Sequence, residues 1–340
     1  MRYRIIVFIA IITQACDILS KRFHQIRRPA RATVPDGDSP RRLFMDQRLS
    51  GVFAPITTPF LADGQVDREG LKRNMRFYAG SGLHGFLALG SNGENKSLTA
   101  EEKIDVLRLI IEGKGEHQVV MAGCIFESTR ETIDYARRFA SMGADFITLL
   151  PPSYFKKQMT DDALYRYFTD VADQVEKPCL VYNAPQFCGG ITLSVALIRR
   201  LADHPNIVGL KDSSVGNIDK FLLAVKDRFH VMAGSANFFL NSLFAGASGG
   251  VISLANIFPD LVLDLYRLAE ARDYEAAFAL NDRVLQLNST VSGSGGVAAV
   301  KKAMDLAGLA GGDPRLPLLP LPDAAVDVLK HKLQAEGLIK

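Results

Sequence analysis

Eight alternations of a short apolar run with a longer amphipathic one, over residues 51–271, predict an α/β fold of the (β/α)8 barrel class. Two further observations support it. The apolar runs are mostly too continuous for a half-exposed strand, as expected of a parallel sheet covered on both faces. An open doubly wound sheet would call for a glycine-rich dinucleotide fingerprint near the first strand, and Gly51–Phe60 contains none.

In order, the predicted strands are Gly51–Thr57, Gly85–Leu89, Val119–Gly123, Phe146–Leu150, Cys179–Ala184, Ile207–Leu210, His230–Ala233 and Gly250–Ala255. The helices between and after them are Arg68–Ala79, Ala100–Glu112, Thr129–Met142, Asp161–Val175, Ser194–Ala202, Asn217–Asp227, Phe238–Ala245 and Pro259–Ala271. Thr99 with Glu102 three residues on forms a capping box. Asp161 and Asp162 place negative charge in a first turn, where the helix dipole favours it. Tyr274–Ser289, Val297–Ala307 and Ala324–Glu336 then make a C-terminal helical extension over residues 272–340. Between its last two helices, Leu316–Pro322 reads as an extended apolar linker lying against another surface.

Residues 1–50 read as a leader or extension outside the fold. The apolar run Ile5–Ile12 is too short to span a bilayer. Its basic start resembles a signal peptide, but Thr13-Gln14-Ala15-Cys16 is a poor cleavage site. The following stretch, with Arg22, Arg27, Arg28, Arg31, Arg41, Arg42 and Arg48 and no glutamate, has the composition of an organellar transit peptide. A mistaken start codon would also account for it. The expected compartment is therefore mitochondrial or cytoplasmic, with no membrane role for the folded body.

The net charge of +3 comes largely from this leader, and the near-neutral body argues against nucleic-acid binding. Four cysteines show neither metal spacing nor disulfide density, and Cys124 and Cys179 sit in apolar runs as reduced core thiols. The histidines form no HxxH or HExxH pattern, so no metal is expected.

In a barrel of this class the chemistry gathers at the C-terminal ends of the strands. Those ends carry Thr57-Thr58, Gly90-Ser91-Asn92-Gly93-Glu94, Tyr154, Tyr182-Asn183, Lys211-Asp212-Ser213, Gly234-Ser235-Ala236 and Ser253. Lys211 leaves the apolar run Ile207–Leu210. Desolvation there favours the uncharged form of an amine, and an uncharged amine attacks ketones to form a Schiff base. A strand-end lysine whose ammonium snorkels to water is the bland alternative. Tyr182 ends the neighbouring strand, about 4.8 Å away, and can shuttle protons on a lysine-bound substrate or simply pack its ring at the rim. The turn Gly90–Glu94 can turn N–H groups, the Ser91 hydroxyl and the Asn92 amide toward a carboxylate, or serve only as a strand-to-helix turn. Ser235 completes the substrate-facing set.

The segments Gly51-Val52-Phe53-Ala54-Pro55-Ile56-Thr57-Thr58-Pro59-Phe60, Gly90–Glu94, Tyr182-Asn183-Ala184-Pro185 and Gly209-Leu210-Lys211-Asp212-Ser213 resemble the dihydrodipicolinate synthase/N-acetylneuraminate lyase superfamily. The resemblance runs from about Leu49 to the C-terminus, with the motifs in family order. It implies a homotetrameric, cofactor-free class I aldolase acting on pyruvate or another 2-oxo acid. Lys211 would be the Schiff-base lysine, Tyr182 the general acid/base, and Ser91-Asn92 the carboxylate site. The resemblance also implies a second tyrosine that reaches across a subunit interface to complete a hydroxyl relay with Ser91, and Tyr154 is the candidate.

The synthase proper carries an arginine two residues after the proline of its Tyr-Asn-x-Pro motif, and Phe187 stands there in this chain. Phenylalanine cannot make a charge-assisted contact with an aldehyde substrate's carboxylate. Ser91-Asn92 with Lys211-Asp212-Ser213 and Gly234-Ser235-Ala236 is most similar to 4-hydroxy-2-oxoglutarate aldolases of the mitochondrial type, from which Phe187 and Cys188 also depart. The expected reaction is cleavage of 4-hydroxy-2-oxoglutarate to pyruvate and glyoxylate, with Asn183, Ser213 and Lys156 as candidates for the distal carboxylate. A sugar-acid lyase or dehydratase of the same chemistry, and a non-catalytic pyruvate-binding barrel, are the alternatives.

Overall fold

The computed structural model describes residues 45–293 and 295–340. The leader's apolar run, Thr13-Gln14-Ala15-Cys16 and, Arg48 excepted, the arginines named above lie outside the described residues. Eight parallel strands close into a barrel in sequential order: β1 (Gly51–Pro55), β2 (Gly85–Ala88), β3 (Val119–Cys124), β4 (Phe146–Leu149), β5 (Cys179–Asn183), β6 (Ile207–Asp212), β7 (His230–Ala233) and β8 (Gly249–Val251). The helices are α1 (Arg68–Ala79), α2 (Ala100–Gly113), α3 (Thr129–Ser141), α4 (Asp161–Ala172), α5 (Val195–Leu201), α6 (Ile218–Val225), α7 (Phe239–Phe244), α8 (Pro259–Glu270), α9 (Tyr274–Asn288), α10 (Gly296–Leu306) and α11 (Asp323–Ala335).

Local chemistry accounts for the helix starts. Thr99 and Glu102 form the reciprocal capping box at the head of α2. Thr160, Ser128 and Ser194 cap α4, α3 and α5 by accepting a third-residue N–H. Strand ends shift from the sequence expectation at every strand but β7, and two of the shifts are at β6 and β8. β6 runs on through Lys211 and Asp212, and β8 stops at Val251 because Ser253–Asn256 turns into a 3-10 helix.

Strand alternation divides the interior into two cores. Phe53, Leu87, Val119, Met121, Phe146, Leu180, Met232 and Val251 fill the barrel lumen together with Leu49, while the intervening positions face the helices. Leu49 corrects the leader boundary. It lies in the short turn Gln47–Leu49, is fully buried and plugs the N-terminal end of the lumen, so the fold includes residues just before Gly51. A second correction concerns the linker. Leu316 and Leu319 are 73% and 72% exposed, and of its leucines Leu321 packs against the core. Cys124 and Cys179 are the buried free thiols expected, and burial pushes the Cys179 thiol up to about 12.

His230 begins β7 at the same closed end. It is 2% exposed, and neither ring nitrogen has a hydrogen-bond partner of normal geometry. Burial pushes its pKa down to about 4 from 6.5, against the opposing pull of Asp46. The folded chain therefore holds His230 neutral where the unfolded chain protonates it. Stability is expected to fall as pH drops from about 6.5 toward 4, by an amount on the order of 3 kcal/mol from this group. Urea unfolding of wild type and His230→Leu across pH 7.5 to 4.5 checks this. Wild type should lose stability relative to the variant as pH falls, and a constant difference would refute the assignment.

Candidate active site

β5 and β6 pair with Tyr182 opposite Lys211 and Asn183 opposite Asp212. Below them the register slips. Cys179 pairs with Ile207, but Leu180 pairs with Gly209, leaving Val208 as the extra residue of a β-bulge. The slip sets the direction of the lysine. Ile207 faces the helices and Val208 the lumen, so strict alternation would send Lys211 outward. With the bulge, Leu210 packs outward beside Val181, and Lys211 turns inward beside Tyr182. Gly209 allows this, because a Cβ there would come within 2.9 Å of both the His230 carbonyl and its Cβ.

Lys211 is 5% exposed, and its Nζ lies 4.2 Å from the centre of the Tyr182 ring. Among the described residues no carboxylate forms an ion pair with it. The Tyr182 hydroxyl stands 3.5 Å from the Ser91 hydroxyl. That is long for a hydrogen bond between hydroxyls. Asn92 donates to the Ser253 hydroxyl at 3.0 Å, which ties the β2 exit to the β8 exit. Lys211, Tyr182 and Ser91 thus form one cluster at the mouth, with Asn92 beside Ser91 in the same turn.

The remaining candidates separate. Ser213 reaches the Gly234 carbonyl at 3.4 Å, and Ser235 accepts from the Asn237 N–H at 3.2 Å, so both are half-buried at the next exits. Asn183 is a correction. It is fully buried behind the site, donating to Asp212 at 2.8 Å and Ser214 at 3.1 Å and accepting from the Leu193 N–H at 3.0 Å. Strand alternation points it away from Tyr182, and its amide protons are committed, so it braces β5 against β6. Tyr154 is 81% exposed, its ring edge-on to Phe155. Its backbone N–H and that of Ser153 hold the Glu127 carboxylate; burial raises that carboxyl's pKa, but these N–H groups and Lys96 bring it below its ordinary value. Lys156 is exposed and lies against the loop after β5, where a Cβ on Gly190 would come within 3.0 Å of its Nζ.

Residues 48–336 match the model of the dihydrodipicolinate synthetase family. The chain belongs to that family.

Its relatives within the family include the 4-hydroxy-tetrahydrodipicolinate synthase of Acidiphilium cryptum, 33% identical over 85% of this chain and 99% of the relative. The enzyme of the same name from Methanosarcina barkeri is 32% identical over 86% of this chain and all of the relative. Among solved structures, dihydrodipicolinate synthase of Acinetobacter baumannii complexed with pyruvate superposes with a TM-score of 0.81 at 31% identity, covering 86% of this chain and all of that one. YagE, a prophage protein of E. coli K12 in complex with pyruvate, gives 0.79 at 30% identity, covering 85% and 99%. As a member of the dihydrodipicolinate synthetase family, the chain is a Schiff-base-forming carbon–carbon lyase built on a TIM barrel.

Sequence reasoning missed the buried polar groups that surround these family motifs. Asp212 is fully buried, takes three donors on one oxygen and none on the other, and burial raises its pKa. Glu94 and Lys301 form a fully buried ion pair at 2.8 Å. Nothing in the local pattern around Lys301-Lys302 separates it from a solvated helical lysine, since its partner lies on the far side of the sequence.

Proposed function

We propose that this chain is a class I aldolase that cleaves 4-hydroxy-2-oxoglutarate to pyruvate and glyoxylate. The amine of Lys211 adds to the C2 ketone, and loss of water leaves an iminium. Tyr182, relayed by Ser91, takes the proton of the C4 hydroxyl. The C3–C4 bond breaks with its electron pair drawn into the iminium, giving an enamine and glyoxylate. Protonation of the enamine at C3 and hydrolysis release pyruvate and restore the amine. Ser91, Asn92 and the N–H groups of their turn hold the C1 carboxylate. Ser213, Ser235 and Lys156 are the groups proposed to meet the second carboxylate. Tyr154, so exposed in the single chain, is proposed to reach the relay of a neighbouring copy in a homotetramer.

The observation that carries the choice of substrate is Phe187. It is 52% exposed on the loop after β5, where the synthase resemblance calls for an arginine. The names of the relatives favour a second reading, condensation of pyruvate with aspartate semialdehyde. Losing a charge-assisted carboxylate contact costs about 1.5–3 kcal/mol, or roughly ten- to more than a hundredfold in discrimination. The expected result is a higher kcat/KM for 4-hydroxy-2-oxoglutarate cleavage than for semialdehyde condensation. Preference for the semialdehyde would replace the first reading with the second and leave the Schiff-base chemistry intact.

A further inference from the structure

The C-terminal extension reaches the mouth of the barrel through residues that the reaction does not consume. Lys301 of α10 is fully buried, and its three ammonium protons have three acceptors. These are the Glu94 carboxylate at 2.8 Å and the carbonyls of Thr58 and Asp313, each at 2.9 Å. The second Glu94 oxygen accepts from the Arg315 N–H at 2.8 Å. The Arg315 side chain is in turn held by both oxygens of Glu102 and by the Ser97 and Gly64 carbonyls. One turn along α10 from Lys301, Met304 receives the Thr57 hydroxyl at 3.2 Å. The Phe60 ring contacts both cations, its centre 4.4 Å from Lys301 and 4.3 Å from Arg315. The strand of chain that carries Asp313 and Arg315 lies close because residue 311 is glycine, a Cβ there falling 1.9 Å from the Lys301 carbonyl.

A buried ion pair of this kind adds little net stability, since desolvating both charges offsets most of their attraction. It does fix geometry. Glu94 ends the turn that bears Ser91 and Asn92, and its backbone is left-handed at φ 51° and ψ 41°, unusual for a residue with a Cβ. The Gly93 carbonyl just before it accepts the Thr58 hydroxyl at 2.8 Å. The turn is therefore held from its C-terminal side by the segment after β1, by α10 and by the loop to Arg315, at the exits of β1 and β2.

We propose that Lys301 and Glu94 are positioning residues through which the C-terminal extension sets the carboxylate-binding turn. The pair governs affinity for the 2-oxo acid's carboxylate and leaves the amine chemistry of Lys211 untouched. The inference rests on the reading that Ser91 and Asn92 receive that carboxylate.

The test uses the full chain and two ketones, pyruvate and acetone, which differ by a carboxylate against a methyl group. Borohydride trapping at Lys211 is measured over a concentration series for each. The double variant Glu94→Gln/Lys301→Met removes both charges together, so neither is left buried alone. It is expected to raise the pyruvate concentration for half-maximal labelling by about tenfold, the worth of one charge-assisted contact, with acetone labelling unchanged. Thr58→Val, which removes only the bond to Gly93, should shift pyruvate in the same sense by less, and serves if the double variant does not fold. A parallel loss for both ketones, or no change for either, would overturn the proposal. If wild type traps acetone as readily as pyruvate, the carboxylate reading itself fails before any substitution is made, and this proposal with it.

Discussion

Borohydride reduction in the presence of pyruvate is expected to add a pyruvate-derived mass to the peptide containing Lys211, and Lys211→Ala to remove both labelling and turnover. The loss should be about 10⁴-fold or more, because without the amine there is no electron sink for the C3–C4 bond, whereas losing a positioned acid or base costs less. Arginine should not rescue it, since a guanidinium stays protonated and cannot form an imine. The geometry favours this lysine over Lys301 as the proposed nucleophile. Both are withdrawn from water, but the three protons of Lys301 are engaged by Glu94, Thr58 and Asp313. Lys211 faces the ring of Tyr182 and, among the described residues, has no ion-pair partner. Peptide mapping decides between them. Label on any lysine other than Lys211 would refute the assignment.

The barrel was legible because each of its strands is a compact apolar run and each helix a periodic one, so eight repeats survive small errors at the ends. Lys211 and Tyr182 were legible because they sit on adjacent strand exits, and the register places them opposite each other. What decides that Lys211 faces inward was not legible. Ile207-Val208-Gly209-Leu210 is apolar throughout, so its alternation is silent, and the bulge at Val208 depends on how closely Gly209 passes His230 and Leu180 in neighbouring strands. Asn183 was misread for the converse reason. Its place beside Tyr182 in sequence suggests a shared pocket, whereas neighbours along a strand point to opposite faces. Lys301 and Arg315 were invisible because their partners, Glu94 and Glu102, come from the second repeat of the barrel. Pairing over such a separation leaves no mark on local periodicity. The exposed leucines of the linker fail the expectation because an apolar, proline-rich composition says a segment is extended without saying what covers it.

Tyr182→Phe is expected to lower kcat by about 10²–10⁴-fold while leaving the fold and much of the imine trapping in place. The substitution removes the hydroxyl that stands 3.5 Å from Ser91 and keeps the ring that lies 4.2 Å from the Lys211 Nζ. Packing at the mouth should survive, because the ring is kept and Tyr182 is only 2% exposed. Formation of the iminium needs the amine and the ketone, so trapping should persist. In the proposed cleavage the phenol removes the C4 hydroxyl proton, so turnover should collapse. Ser91→Ala should lower kcat in the same sense by a smaller factor, since a water can replace a relay hydroxyl more easily than the group that meets substrate. The separation of trapping from turnover is the decisive readout. A Tyr182→Phe enzyme with near-normal kcat would reduce Tyr182 to a packing residue and require another group to carry the proton, and equal loss of trapping and turnover would place its hydroxyl in imine formation instead.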